Sequence, residues 1–113
     1  MFKGKAHLTN GHKTIGKVVE SCQSETQARL TVTLDPPIEL KGTEMLGLYL
    51  AGKSEPVLSA GAQGHADRHV AEFSGKSTLG CLLTGAQISL TKTPGGDLST
   101  LLQVLGKGTI EPE

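Results

Sequence analysis

The sequence predicts a mostly β protein: a small antiparallel β-barrel or sandwich of about six to eight short strands, with one short C-terminal helix as an option. Apolar and polar residues alternate along several segments, as they do in strands that bury one face. The 15 glycines and 5 prolines divide the chain into pieces that are short for a helical bundle. A length of 113 residues suits one core, so we expect residues 1–113 to form a single β domain.

The N-terminal part predicts a meander of three antiparallel strands. Residues 2–8 and 14–21 are the first two strands, and Asn10-Gly11 between them indicates a hairpin because both residues tolerate positive φ. Residues 28–34 alternate strictly, with leucine and valine on one face and arginine and threonine on the other. The prolines of Asp35-Pro36-Pro37 are predicted to end this third strand, since proline donates no backbone hydrogen bond.

The strands predicted after residue 40 are shorter. Residues 45–50 alternate again and place Leu46, Leu48 and Leu50 on one face. Further strand candidates follow along the chain: residues 38–40, 57–58, 69–73, 79–84, 86–93 and 109–110. Near the C-terminus, leucines at residues 98–105 follow i, i+3, i+4, i+7 spacing, so a short helix capped by Asp97 is favoured over a strand at 100–105.

Composition and charge restrict the classes of function. Aromatic residues make up 3% of the chain and tryptophan is absent, so the core is expected to be aliphatic. Few rings are available to stack on nucleic-acid bases or sugars. The 11 basic and 11 acidic residues give a formal net charge of +0, without the overall field that attracts a polyanion. Nucleic acid is therefore disfavoured as a partner of the chain as a whole.

The N-terminal sequence and the cysteines predict a location. Polar residues follow Met1-Phe2-Lys3 where a signal peptide would have an apolar run, and no stretch approaches the ~20 apolar residues of a membrane span. We expect a cytoplasmic or intraviral protein without membrane association. Cys22 and Cys81 belong to no C-x-x-C unit and lie beside apolar or small residues, so they are predicted to be buried free thiols. The alternative, a disulfide, is typical of secreted proteins.

One short segment concentrates side chains that can bind a metal. Two imidazoles and two carboxylates stand close together: His65, Asp67, His69 and Glu72. In a helix the two histidines would share a face, and in a strand His65, Asp67 and His69 would project to one side, so either structure offers ligands to a divalent metal. The simpler interpretation is an exposed polar loop. No cofactor is predicted, and a divalent metal is the candidate if one binds.

Four lysines precede the first acidic residue, Glu20: Lys3, Lys5, Lys13 and Lys17. On neighbouring strands they could form a basic patch that contacts an anion or nucleic acid. The simpler interpretation is that they keep a sheet face or edge in solvent. Residues 74–78 read Ser-Gly-Lys-Ser-Thr, like the end of a phosphate-binding loop, but Val70 stands where that loop requires glycine.

No complete catalytic motif is present, so we expect a non-enzymatic binding or assembly module that acts through its surface. A surplus of leucine beyond what one sheet face can bury favours a homo-oligomer or another protein partner. The alternative is a small metal-dependent enzyme, in which His65, His69 and Glu72 hold a metal that activates water. A weaker alternative is nucleic-acid binding through the basic N-terminal hairpin.

Overall fold

The computed structural model describes residues 2–41, 44–61, 68–93 and 103–113. Over these residues the chain forms strands and no helix. The strands are β1 (Phe2–Asn10), β2 (Lys13–Cys22), β3 (Ala28–Leu40), β4 (Met45–Leu50), β5 (Leu58–Gly61), β6 (Arg68–Lys76), β7 (Gln87–Thr93), β8 (Gln103–Thr109) and β9 (Glu111–Pro112). The predicted mostly β fold is confirmed.

The strands form one antiparallel sheet that curls into a nearly closed barrel. Their order is β5-β4-β7-β8-β1-β2-β3-β6, and β9 pairs with β1 beyond β8. The two end strands approach each other where Thr78, just after β6, donates its N–H to the carbonyl of Val57, just before β5, at 3.0 Å. A Cβ at Gly75 of β6 would lie 2.8 Å from Leu58 Cδ1, so glycine permits this approach. Drawing the two edges together shields the unpaired edge groups of β5 and β6.

The first three strands confirm the predicted meander. A tight turn at Gly11 and His12 joins β1 to β2, and Gly11 has a φ of 64°, which glycine adopts without strain. The prediction that the prolines end the third strand is wrong. β3 continues through Pro36 and Pro37 to Leu40, and its register with β6 shifts between Thr33 and Ile38. The prolines occupy this irregular stretch, where the ladder does not need their missing N–H groups.

Alternation along the strands builds an aliphatic core, as predicted. Leu46 and Leu48 of β4 are fully buried, while Leu50 at the end of the strand is half-buried. Phe73 packs against the cluster from its margin. The buried core residues are Ala6, Leu8, Val18, Leu30, Val32, Leu34, Leu40, Leu46, Leu48, Val57, Leu58, Val70, Leu82, Ile88, Leu90 and Ile110.

Two predictions for the second half of the chain are wrong. Residues 79–84 are not a strand but belong to a loop at residues 77–86, in which Gly80 has a φ of 73°. The backbone N–H groups of Cys81 and Leu82 donate to the Glu25 carbonyl and the Glu20 carboxylate, and none of the nine described strands pairs with this segment. The predicted C-terminal helix is contradicted at residues 103–105, which lie in β8; residues 97–102 lie outside the described residues.

Among the described residues, no helix has the length and apolar character needed to cross a membrane.

Candidate functional site

The outward face of β1, β2, β3 and β6 carries a concentration of positive charge. The pairing of the strands aligns its side chains in three rows across the sheet. The first row is Lys3, Ser21, Arg29 and Lys76; the second is Lys5, Val19, Thr31 and Ser74; the third is His7, Lys17, Thr33 and Glu72. We call this surface the basic face, after its five cations: Lys3, Lys5, Lys17, Arg29 and Lys76.

The dimensions of the basic face follow from the sheet. Neighbouring strands lie about 4.8 Å apart, so the first row extends about 14 Å along the sheet, and successive rows lie about 7 Å apart. A shallow cavity of ≈ 400 Å³ adjoins the first row, and Gln23, Gln27, Arg29 and Lys76 are among its lining residues. The cations of the first row are therefore presented together with amide and hydroxyl groups.

The charges of the basic face are not neutralised by contact. Among the described residues, ion pairs join Lys41 to Glu39 at 3.6 Å and Lys92 to Glu44 at 3.4 Å, and the imidazole of His69 lies 3.6 Å from the Glu39 carboxylate. Within those parts of the chain, the five cations of the basic face form no ion pair. The carboxylates nearest in register are Glu72, in the third row, Glu111 of β9, which pairs with Lys5, and Glu113, whose N–H donates to the Lys3 carbonyl at 3.1 Å. A chain of zero net charge thus has a locally positive surface.

The structure brings together three of the four lysines singled out from the sequence. Lys3, Lys5 and Lys17 lie on the basic face, while Lys13 pairs with Asn10 beside the hairpin turn. Sequence reasoning did not include Arg29 and Lys76. Alternation did place Arg29 on the outer side of β3, but Lys76 joins it only because β3 pairs with β6, a contact between distant parts of the chain.

The predicted metal-binding segment is only partly described. His65 and Asp67 lie outside the described residues. His69 and Glu72 are both exposed on β6; His69 Nε2 lies 3.6 Å from Glu39 Oε2, and Glu72 pairs with Thr33. Metal binding by this segment stays a prediction.

The prediction of free thiols is wrong. Cys22 and Cys81 form a disulfide with an Sγ–Sγ distance of 2.04 Å, which ties the end of β2 to the 77–86 loop across a sequence separation of 59. The loop is brought to β2 by a hydrogen bond of 3.0 Å from the Cys81 N–H to the Glu25 carbonyl. Because this docking is a long-range tertiary contact, the sequence around each cysteine gave no sign of it.

A buried carboxyl group lies beside the disulfide. Glu20 is 0% exposed, and its Oε1 accepts the Leu82 N–H at 2.6 Å. Its Oε2 has no hydrogen-bond partner among the described residues. Burial raises the pKa of Glu20 above its usual value of 4.5, and the bond from Leu82 opposes part of that rise.

Glu20 and the two cysteine sulfurs converge. One carboxylate oxygen and both Sγ atoms lie within 4.8 Å of one another, a spacing that a metal site could use. The sulfurs are bonded to each other, so they do not act as thiolate ligands in this state. Sequence reasoning missed Glu20, although its parity with Val18 and Cys22 along β2 does place it on the inner face.

No known protein family, curated protein or solved structure matches this chain.

Proposed function

We propose that this chain is a non-enzymatic binding module that binds the phosphate backbone of nucleic acid through the basic face. The proposal rests on the alignment of five cations on one sheet face. None of these five forms an ion pair with another described residue. Phosphates release bound counterions when lysine and arginine neutralise them, and this release drives association. In the part of the chain that the structure describes, these cations form no ion pair, so they are available for such contacts.

The neutral side chains of the basic face support phosphate as the ligand. The same face carries the hydroxyl groups of Ser21, which lies between Lys3 and Arg29, and of Thr31, Thr33 and Ser74. Hydroxyls and amides, together with lysine and arginine, are the side chains that contact phosphates in protein–DNA complexes. In the first two rows, every side chain except Val19 is a cation or carries a hydroxyl group.

The same composition argues against an ordinary protein–protein interface. Such interfaces have an apolar core and are depleted in lysine, whereas Val19 is the one aliphatic side chain in the three rows of the basic face. The one aromatic ring in these rows is the imidazole of His7, and they contain none of the larger rings of phenylalanine, tyrosine or tryptophan on which a base could stack. We therefore propose recognition of the backbone without sequence preference.

Fluorescence anisotropy with labelled mixed-sequence DNA and RNA tests this proposal. Between about 50 and 200 mM salt, the logarithm of Kd should rise with the logarithm of salt with a slope of about 3 to 5 if the five cations contact phosphates. The double variant R29Q/K76Q should lower this slope by about 1.5. Lys53→Gln is the matched control, because Lys53 is exposed in the turn after β4 and lies outside the basic face.

Two results would refute the proposal. One is affinity that does not change with salt or with R29Q/K76Q. The other is equal competition by polyglutamate, which would show that the basic face selects acidic polypeptide instead of phosphate. Full-length protein is used throughout, with far-UV circular dichroism to verify that each variant retains the β fold.

We also propose that the chain self-associates, as its surplus of leucine led us to expect. Leu79 and Leu83 in the 77–86 loop are 47% and 79% exposed, and neither belongs to the core. Large apolar side chains exposed this far favour contact with another protein surface. Sedimentation velocity should give a dimer or larger species that Leu83→Ser dissociates; a monomer at all concentrations would refute this.

A further inference from the structure

The disulfide lines a surface cavity. This cavity has a volume of ≈ 600 Å³ and is lined by both cysteines together with Phe2, Gln23, Glu25 and Leu83, among others. Cys81 is half-buried and Cys22 is 3% exposed, so the two sulfurs differ in their access to solvent. A small reagent in the cavity would meet Cys81 as the more accessible half of the disulfide.

The inner side of the disulfide faces Glu20, whose carboxyl group is within 4.8 Å of both sulfurs. The Leu82 N–H, from the residue next to Cys81, holds Glu20 Oε1 at 2.6 Å and leaves Oε2 without a hydrogen bond in the described structure. The side chains of Phe2 and Ile110 pack with Oε2 around Gly4. A proton on Oε2 therefore has no competing acceptor among these neighbours.

We propose that the Cys22–Cys81 disulfide is a redox-active site of the folded protein, reduced by a dithiol that enters the cavity and with Glu20 as the proton donor to Cys22. This proposal is independent of nucleic-acid binding. A buried cystine that served only as a cross-link would need neither an entrance from solvent nor a carboxyl group at its back.

Reduction takes place in two thiol–disulfide exchange steps. One thiol of the dithiol loses its proton to solvent, and the resulting thiolate attacks Cys81 Sγ, forming a mixed disulfide and breaking the Cys22–Cys81 bond. The electron pair of that bond leaves on Cys22 Sγ, which takes the proton of the Glu20 carboxyl group. The second thiol then loses its proton to solvent and displaces Cys81, which leaves as a thiolate. Solvent protonates Cys81 and restores the proton of Glu20, so two electrons and two protons pass from the dithiol to the cystine.

The environment of Glu20 suits a proton donor. Desolvation raises its pKa, and the hydrogen bond from Leu82 lowers it; no charged side chain contributes to the shift. Its neighbours on the packed elements are uncharged: Gly4 on β1, Leu30 on β3, Leu82 in the loop and Ile110 after β8. The carboxyl group is thus kept protonated to higher pH than an exposed glutamate.

The rate of reduction by dithiothreitol tests the proposal, measured by alkylation and mass spectrometry under native conditions. The wild-type rate should be first order in dithiothreitol without reaching a plateau at the rate of global unfolding. Glu20→Gln, which preserves the acceptor for the Leu82 N–H, should slow native-state reduction by about tenfold; this is below the usual effect of a general acid because a thiolate is itself a stable leaving group. Glu55→Gln, which removes an exposed carboxyl group outside this cavity, should change the rate by less than about twofold.

In denaturant, wild type and Glu20→Gln should be reduced at equal rates. A second readout needs no variant. The wild-type rate constant per unit of dithiothreitol thiolate should fall as pH rises, because Glu20 loses the proton it donates. The proposal is overturned if reduction requires global unfolding, if Glu20→Gln reacts as fast as wild type, or if the thiolate-corrected rate is independent of pH.

Discussion

The outer and inner faces of β1, β2 and β3 have opposite compositions, although they alternate residue by residue along the same strands. The outer face carries lysine, arginine and hydroxyl side chains, and the inner face carries Leu30, Val32 and the buried Glu20. Removing an inner side chain opens a cavity or leaves a buried polar group without its partner, whereas an outer side chain already contacts water. The inner face of these strands therefore contributes most of their stability, and the outer face is the one on which we propose recognition.

The largest effect that distinguishes the two faces is expected at Leu30 and its neighbour Thr31. Leu30 is 0% exposed in the core, so Leu30→Ala should lower the free energy of unfolding by about 2–5 kcal/mol through lost burial and a residual cavity. Thr31→Ala, on the outer face, should cost about 1 kcal/mol or less. Urea denaturation followed by circular dichroism measures both values, and equal losses would contradict the assignment of faces.

The cross-link between β2 and the 77–86 loop has the next largest expected effect. A disulfide across 59 residues restricts the unfolded chain, so C22A/C81A should lower the free energy of unfolding by about 2–4 kcal/mol. Thermal and urea unfolding of oxidised wild type, reduced wild type and the double variant would measure it. Unchanged midpoints in the double variant would mean that the disulfide contributes nothing to stability.

The parts of the fold that were predicted from the sequence are those specified by local pattern. Alternation at residues 28–34 predicted the third strand, because inward-facing residues recur at every second position of a strand. The Asn10-Gly11 pair predicted the hairpin that joins the first two strands. The predicted end of β3 at Pro36 and Pro37 was wrong, because both prolines lie in an irregular stretch of the pairing between β3 and β6. The 77–86 loop was misread for a similar reason: its hydrogen bonds go to Glu20 and Glu25, which are distant in sequence.

The candidate sites divide in the same way. Lys3, Lys5 and Lys17 could be placed on neighbouring strands of one hairpin, and the structure puts them on one face. The position of Lys76 beside Arg29 and the formation of the Cys22–Cys81 bond both depend on contacts between residues far apart in sequence. The periodicity of a single segment does not predict such contacts. The alternation of β2 could have placed Glu20 on the inner face. Its proximity to the two sulfurs could not be predicted from the sequence.

The inner face of β2 carries one ionisable side chain, Glu20, whose titration distinguishes it from the exposed carboxyl groups. Its pKa is raised in the folded chain, so the folded protein keeps a proton that the unfolded chain releases above its usual value of 4.5. The contribution of this group to stability is therefore full below that pH, and it is lost at about 1.4 kcal/mol per pH unit as pH rises to the folded pKa. Glu20→Gln should lack this slope.

Urea denaturation of wild type and Glu20→Gln from pH 4 to pH 8 measures the difference. The stability of the variant relative to wild type should increase with pH over this range and then level off. Glu25→Gln, which removes an exposed carboxyl group, is the control and should show no such trend. A relative stability of Glu20→Gln that is constant with pH would show that Glu20 titrates alike in the folded and unfolded chains.

The smallest effect on stability is expected on the basic face, where binding should change most. Arg29 and Lys76 are exposed, and within the described parts of the chain the Arg29 side chain makes one long hydrogen bond, of 3.4 Å to Ser74 Oγ. R29Q/K76Q should therefore shift the free energy of unfolding by no more than about 0.5 kcal/mol per site. Stability should even increase slightly at low salt, because Arg29 pairs with Lys76 and their like charges repel. A loss above about 2 kcal/mol in urea denaturation would mean that these side chains support the barrel, and the outer face would then share the role of the inner one.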